Sequence, residues 1–161
     1  MTASLSASAA KVQAALDAAG VPTRIVEHDV AARTSAQAAG VLGCSVGQIA
    51  KSLVFRGASG RAVLVIASGA NRVDEAKVAA LIGEPVGRAD PAFVRAVTGF
   101  AIGGIPPLGH PAPLAPLIDR DLLRHAVVYA AGGTPNAMFP IAPAELVRAS
   151  GGSAADVALS P

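Results

Sequence analysis

Two apolar runs, residues 51–56 and 61–67, constrain the fold of this chain more than any other feature, and Gly57-Ala58-Ser59-Gly60 separates them. Runs of that length on either side of a Gly-containing four-residue loop predict a β-hairpin. The second run contains Val63-Leu64-Val65-Ile66, which is apolar throughout. Such a strand has no face to give to water, so it must be covered on both sides.

Lys51 opens the first run. Side chains alternate faces along a strand, so in Gln48-Ile49-Ala50-Lys51-Ser52-Leu53-Val54-Phe55 the lysine shares a face with Ile49, Leu53 and Phe55. An unpaired ammonium is costly to bury, and a lysine so placed escapes to water, finds a partner or serves a site that needs its charge. Two readings are open: a side chain that snorkels from a strand end, or a cation facing a pocket that binds phosphate or polarises a carbonyl. The chain has three lysines, Lys11, Lys51 and Lys77, and of these Lys51 alone lies on an apolar face.

Around the hairpin, Leu5, Val12, Leu16 and Ala19 fall at helical spacing ahead of Gly20 and Pro22, which predicts an amphipathic helix over residues 4–19. Residues 23–28 read as a first strand. Capping-box patterns at Thr34-Ser35-Ala36-Gln37 and Ser45-Val46-Gly47-Gln48 predict two short helices immediately before Lys51. Asp74 can cap a helix that Gly83 closes, and Asp90-Pro91 can start another that Gly99 closes. Residues 117–119, 126–131 and 137–141 read as strands and 143–149 as a helix. From Gly151 the chain is rich in Gly, Ser and Ala, which predicts a mobile tail over residues 151–161.

Strands and short helices interleave without a steady βαβ rhythm, and no internal repeat is evident. The expected fold is mixed α/β (α+β): a curled, barrel-like mixed sheet flanked by short helices, in one domain over residues 1–161. Hydrophobic residues make up 52% of the chain and aromatic ones only 3%, so the core is built from Ala, Val, Leu and Ile. That scarcity argues against aromatic platforms that stack single-stranded bases. The net charge of +2 comes from scattered basic residues and gives a weak steering field. The single Cys44 excludes an intramolecular disulfide and a Cys-based metal cluster, in keeping with a reducing cytoplasm. No apolar stretch approaches the ~18 residues of a membrane span, and residues 1–10 lack the basic start and apolar core of a secretory signal. A cytoplasmic location is expected, with no membrane partner.

The stretch 99–116 is dense in Gly and Pro. Within it, Gly103-Gly104-Ile105-Pro106-Pro107-Leu108-Gly109 combines glycines that let a backbone approach a ligand with prolines that stiffen the chain after them. The loop is either a structural turn or a cradle of main-chain donors and acceptors. It is no Walker loop, because it lacks a succeeding Gly-Lys-Ser/Thr, and no Rossmann fingerprint. Cys44 with His28, His110 or His125 has no spacing that supports a nucleophile and base, and three isolated histidines predict no metal site. Asp119 and Asp121 flank Arg120 and read as a turn or helix start rather than paired catalytic carboxylates. An enzyme built on this chain would work by positioning and backbone electrostatics.

Three blocks together resemble the YbaK/ProX family, the aminoacyl-tRNA editing domains found free-standing or inserted in bacterial prolyl-tRNA synthetases. They are Thr34-Ser35-Ala36-Gln37-Ala38-Ala39 leading to the block around Lys51, the stretch 97–109, and Gly132-Gly133 before the last strand and helix. The resemblance runs from about His28 to Arg148. It implies hydrolysis of the ester joining a wrong amino acid to the acceptor end of tRNA, with no metal or organic cofactor and with an aminoacyl-tRNA synthetase as a further partner. It also implies Lys51, Gly103, Gly104 and Pro107 as catalytic positions, and His28, Thr34, Ser52, Ile105, Pro106 and Asn136 as substrate-binding ones. In the family the lysine contacts the terminal adenosine and its phosphate, and the Gly-to-Pro loop handles the aminoacyl group and the attacking water. Ala- or Cys-tRNA(Pro) is the expected substrate type, and other members remove Ser or Thr. Some Cys-specific members carry Ser before the motif proline, where this chain has Pro106. The alternatives are a non-catalytic module that binds an aminoacyl-adenosine, tRNA or a protein through the same pocket, and a thiol enzyme using Cys44.

Overall fold

The computed structural model describes residues 4–160, so residues 1–3 and Pro161 of the expected domain lie outside it. In chain order the elements are α1 (Ala7–Ala18), β1 (Val26–Glu27), α2 (Ser35–Leu42), a 3₁₀ turn (Val46–Gln48), β2 (Ile49–Gly57), β3 (Ala62–Ser68), α3 (Glu75–Ile82), β4 (Val86–Arg88), α4 (Pro91–Thr98), β5 (Leu117–Asp119), a second 3₁₀ turn (Arg120–Arg124), β6 (Val128–Ala131), β7 (Ala137–Ile141), α5 (Pro143–Ser150) and β8 (Ser153–Ala155). The caps read from sequence are in place. Thr34, Asp74 and Asp90 accept main-chain N–H groups of the first turns of α2, α3 and α4. Gly43, Gly83 and Gly99 end those helices in the left-handed conformation. The second capping box closes on a single 3₁₀ turn, because extended backbone begins at Ile49.

β2 and β3 form the predicted antiparallel hairpin, from Ala50↔Ser68 to Arg56↔Ala62. The mixed sheet runs β1-β7-β6-β2-β3-β5-β8, with β4 also on β2. Its ends, β1 and β8, do not pair with each other, so the curled sheet is open. Both faces of β3 are covered, as its apolar run requires. Leu64 and Ile66 enter the main core with Val12 and Leu16 of α1, Val94, Ile118 and Phe139, while Val63 and Val65 pack on the opposite face against Val78 of α3 and Val157. A third cluster joins Ala38 and Ala39 of α2 to Ile49.

Two expectations are corrected. The first strand is shorter than residues 23–28, since only Val26 and Glu27 pair with β7. Gln13 of α1 takes the place of a neighbouring strand before them, accepting from Ile25 N–H and donating to the Thr23 carbonyl. The tail is a docked element rather than a loose end. Ser153–Ala155 pairs in parallel with β5, Val157 is fully buried, and Lys77 Nζ holds both Asp156 and the Ala158 carbonyl. Its small residues suit a close approach: a Cβ on Gly152 would lie 2.5 Å from the Pro116 carbonyl oxygen. Among the described residues no helix is long and apolar enough to cross a membrane.

Candidate functional site

A split in the sheet makes the site. One edge of β2 pairs with β3 throughout, but the other meets β6 only at Ile49 and Ala50 and β4 only from Phe55 to Gly57. The Ile49 carbonyl accepts from Gly69 N–H, so the peptide groups of Ile49 face β3. Peptide groups alternate sides along a strand, which turns the N–H and C=O of Ser52 away from β3 into the split. A cavity of about 530 Å³ opens there. Its floor is Ile49, Ala50, Lys51 and Ser52; one wall is Ala32, Arg33, Thr34, Ser35 and Ala38; the facing wall is Ile102, Gly103 and Ile105 with Ala131, Pro135 and Met138.

Lys51 sits on the smaller-cluster side of the sheet, between Ile49 under α2 and Phe55 near α3, while Ala50 and Val54 face the main core. Its Nζ donates to the Asn71 carbonyl at 2.7 Å. Partial burial lowers its pKa below the ordinary lysine value, the nearby Arg72 lowers it further, and Asp119 acts in the opposite direction. Asn71 is itself anchored, because its Nδ2 donates to Asp119 Oδ2 at 2.9 Å and to Asp121 Oδ2 at 2.8 Å. Arg33 on the rim takes part in no ion pair among the described residues.

The Gly/Pro loop forms the facing wall because its backbone lies directly on the turn at Gly133-Thr134. A Cβ on Gly104 would come within 2.7 Å of Thr134 N and Cα, so only glycine fits. Gly103 has φ +101°, a conformation that side chains disfavour. Gly104 N–H closes the turn onto the Ala101 carbonyl at 3.2 Å, whereas the N–H groups of Gly103 and Ile105 have no protein partner among the described residues. Pro106 and Pro107 are buried behind the wall. His110 Nε2 bonds the Pro106 carbonyl at 2.8 Å and holds the far side of the loop; burial lowers the pKa of its imidazole.

Of the positions expected from sequence, Lys51, Thr34, Ser52, Gly103 and Ile105 line one cavity. Gly104, Pro106 and Pro107 shape its wall from behind. His28 and Asn136 do not line it; they bond each other, His28 N–H to the Asn136 carbonyl at 2.8 Å and Asn136 Nδ2 to the His28 carbonyl at 3.1 Å. Cys44 packs in the α2 cluster, and burial pushes its thiol up, the reverse of an activated thiolate. Among the described residues no group of three or more His, Cys, Asp or Glu side chains is placed to hold a metal. Sequence reasoning missed Asn71, and it missed that the Asp119 carboxylate faces inward. An Asn three residues past a strand end carries no signal for a partner 48 positions away.

A family model of the aminoacyl-tRNA editing domain matches residues 29–149. The uncharacterized protein YwhH of Bacillus subtilis (strain 168) is 33% identical over 122 residues, covering 76% of this chain and 78% of its own length. Among solved structures, that of a candidate trans-editing enzyme for prolyl tRNA synthetase is 47% identical, covers 98% of this chain and 100% of its own, and superposes with a TM-score of 0.92. The hypothetical protein APE2540 is 35% identical over 92% of this chain and 99% of its own, with a TM-score of 0.86.

Proposed function

This chain belongs to the aminoacyl-tRNA editing domain family, and from that premise we propose that it is a trans-acting deacylase that hydrolyses the ester between a wrong amino acid and the 3′ end of tRNA. One observation carries the reading: a single cavity is lined by Lys51 on its floor and, on the facing wall, by Gly103 and Ile105, whose main-chain N–H groups have no protein partner among the described residues. Lys51 anchors the terminal phosphate and adenosine. A compact, strongly hydrated point charge suits that task. The aminoacyl group lies against Gly103 and Ile105.

Water attacks the ester carbonyl carbon, and the carbonyl electron pair moves onto oxygen. The loop N–H groups stabilise that oxyanion. Its collapse breaks the bond to the ribose oxygen, which leaves with the proton given up by the attacking water and yields free amino acid and uncharged tRNA. An ester is already activated, so oriented donors suffice, each worth about 10²- to 10³-fold in rate. Pro106 and Pro107 stiffen the loop, so the donors need little reorganisation.

The amino acid is of the Ala or Cys type on tRNA(Pro), with prolyl-tRNA synthetase as the partner whose errors are cleared, in the cytoplasm. The 47% identity to the candidate trans-editing enzyme for prolyl tRNA synthetase supports the link to that synthetase. One methylene is worth only ~1–3 kcal/mol in an apolar pocket, so wall shape decides between small side chains. The test is hydrolysis of Ala-, Cys-, Ser- and Pro-charged tRNA by wild type and Lys51→Ala. The expected result is turnover of at least one mischarged species and a drop of about 10²-fold or more in the variant. Background rates throughout, with the tRNA end protected, would make the chain a binding module instead.

A further inference from the structure

A lysine stem has four carbons and many rotamers, so a charge that anchors a substrate needs something to fix it. Lys51 Nζ has such a fixture in the Asn71 carbonyl, 2.7 Å away. That carbonyl belongs to the turn after β3, where Asn71 N–H donates to the Ser68 carbonyl. The turn is pinned from the far side by Asp119, which is 1% exposed. Its Oδ2 accepts from Asn71 Nδ2 and Ser68 N–H, and its Oδ1 from Asp121 N–H. A second carboxylate, Asp121, takes Asn71 Nδ2 at 2.8 Å.

Capping the 3₁₀ turn after β5 does not require this arrangement. An exposed Ser or Asp would cap it without the cost of burying a carboxylate. The inward carboxylate does something more: it sets where the Asn71 main chain lies, and that sets where the ammonium lies. Neither Asn71, Asp119 nor Asp121 lines the cavity. Resting on the role of Lys51 as substrate anchor, we propose that Asn71, braced by Asp119, is a positioning residue that holds one N–H of the Lys51 ammonium and leaves two for the substrate.

A double-mutant cycle tests this. Asn71→Ala frees the turn, and a misplacement of about 1 Å at the anchor is expected to lower kcat/KM for deacylation by roughly 10²-fold. In a Lys51→Ala background the same change should lower it less than about twofold, because the residue through which Asn71 acts is gone. Equal losses in both backgrounds, or wild-type activity in Asn71→Ala, would overturn the proposal. Asp119→Asn serves as the second variant, with the same pattern expected. The Lys51 ε-methylene NMR signal provides a readout independent of turnover. It should be displaced in the wild type and move toward that of a free lysine in folded Asn71→Ala; an unmoved signal refutes the positioning role. Loss of the deacylase reading would show separately, as wild-type rates at background with the Lys51 signal still sensitive to Asn71.

Discussion

Lys51 is held partly out of water, and its stability and its function pull in opposite directions. Burial lowers its pKa from the ordinary 10.5. Between the lowered value and 10.5 the unfolded chain binds more protons than the folded one, so stability rises with pH through that window. Lys51→Met, which keeps the stem and removes the charge, is therefore expected to raise the urea midpoint at neutral pH while lowering deacylation by about 10²-fold or more. Its advantage over wild type should shrink as the pH climbs toward 10.5. Gly104 poses the complementary case. A Cβ there would drive into Thr134 backbone atoms, so Gly104→Ala should cost ~1–3 kcal/mol and more than about tenfold in activity, by displacing the wall. The sequence shows that a glycine stands at 104 and that a cation sits on an apolar run. It cannot show what each touches, because Thr134 and Asn71 meet them only through tertiary packing.

At the scale of elements, the hairpin is legible because a fully apolar strand leaves one arrangement open, and the helices because their caps are local. Three-residue strands such as β4 and β8 carry no period to read, and their existence depends on neighbours far away in the chain. The split beside β2 is invisible for the same reason: it exists because β6 leaves at Ala50 and β4 arrives only at Phe55. It has a consequence for amide exchange. Lys51 and Leu53 direct their N–H groups at β3, whereas that of Ser52 faces the split. In hydrogen-exchange measurements the Ser52 amide should exchange at least about tenfold faster than its two neighbours, in line with local differences in protection. A non-hydrolysable aminoacyl-adenosine should slow it. Uniform protection from Lys51 to Leu53 in the free protein would mean that the split is closed.

On the scale of the whole molecule, a net charge of +2 gives little long-range attraction, so binding of tRNA has to be local. Two cations line the cavity, Lys51 on the floor and Arg33 on the rim, and Arg72 lies close enough to Lys51 to act on it electrostatically. The acceptor end of tRNA is single-stranded, where each neutralised phosphate contributes about −0.7 to the slope of log K against log salt. Three contacts therefore predict a slope of about −2, far below that of a protein with a broad basic face. Removing a rim charge should reduce the slope by about 0.7 without changing which amino acid is preferred. Fluorescence anisotropy of uncharged tRNA binding to wild type, Arg33→Ala and Arg72→Ala, across a salt series, measures both slope and affinity. A slope near zero would mean that no phosphate is neutralised on binding and that Lys51 does not anchor one. A slope much steeper than about −2 would place a larger basic surface, outside the cavity, in contact with the tRNA.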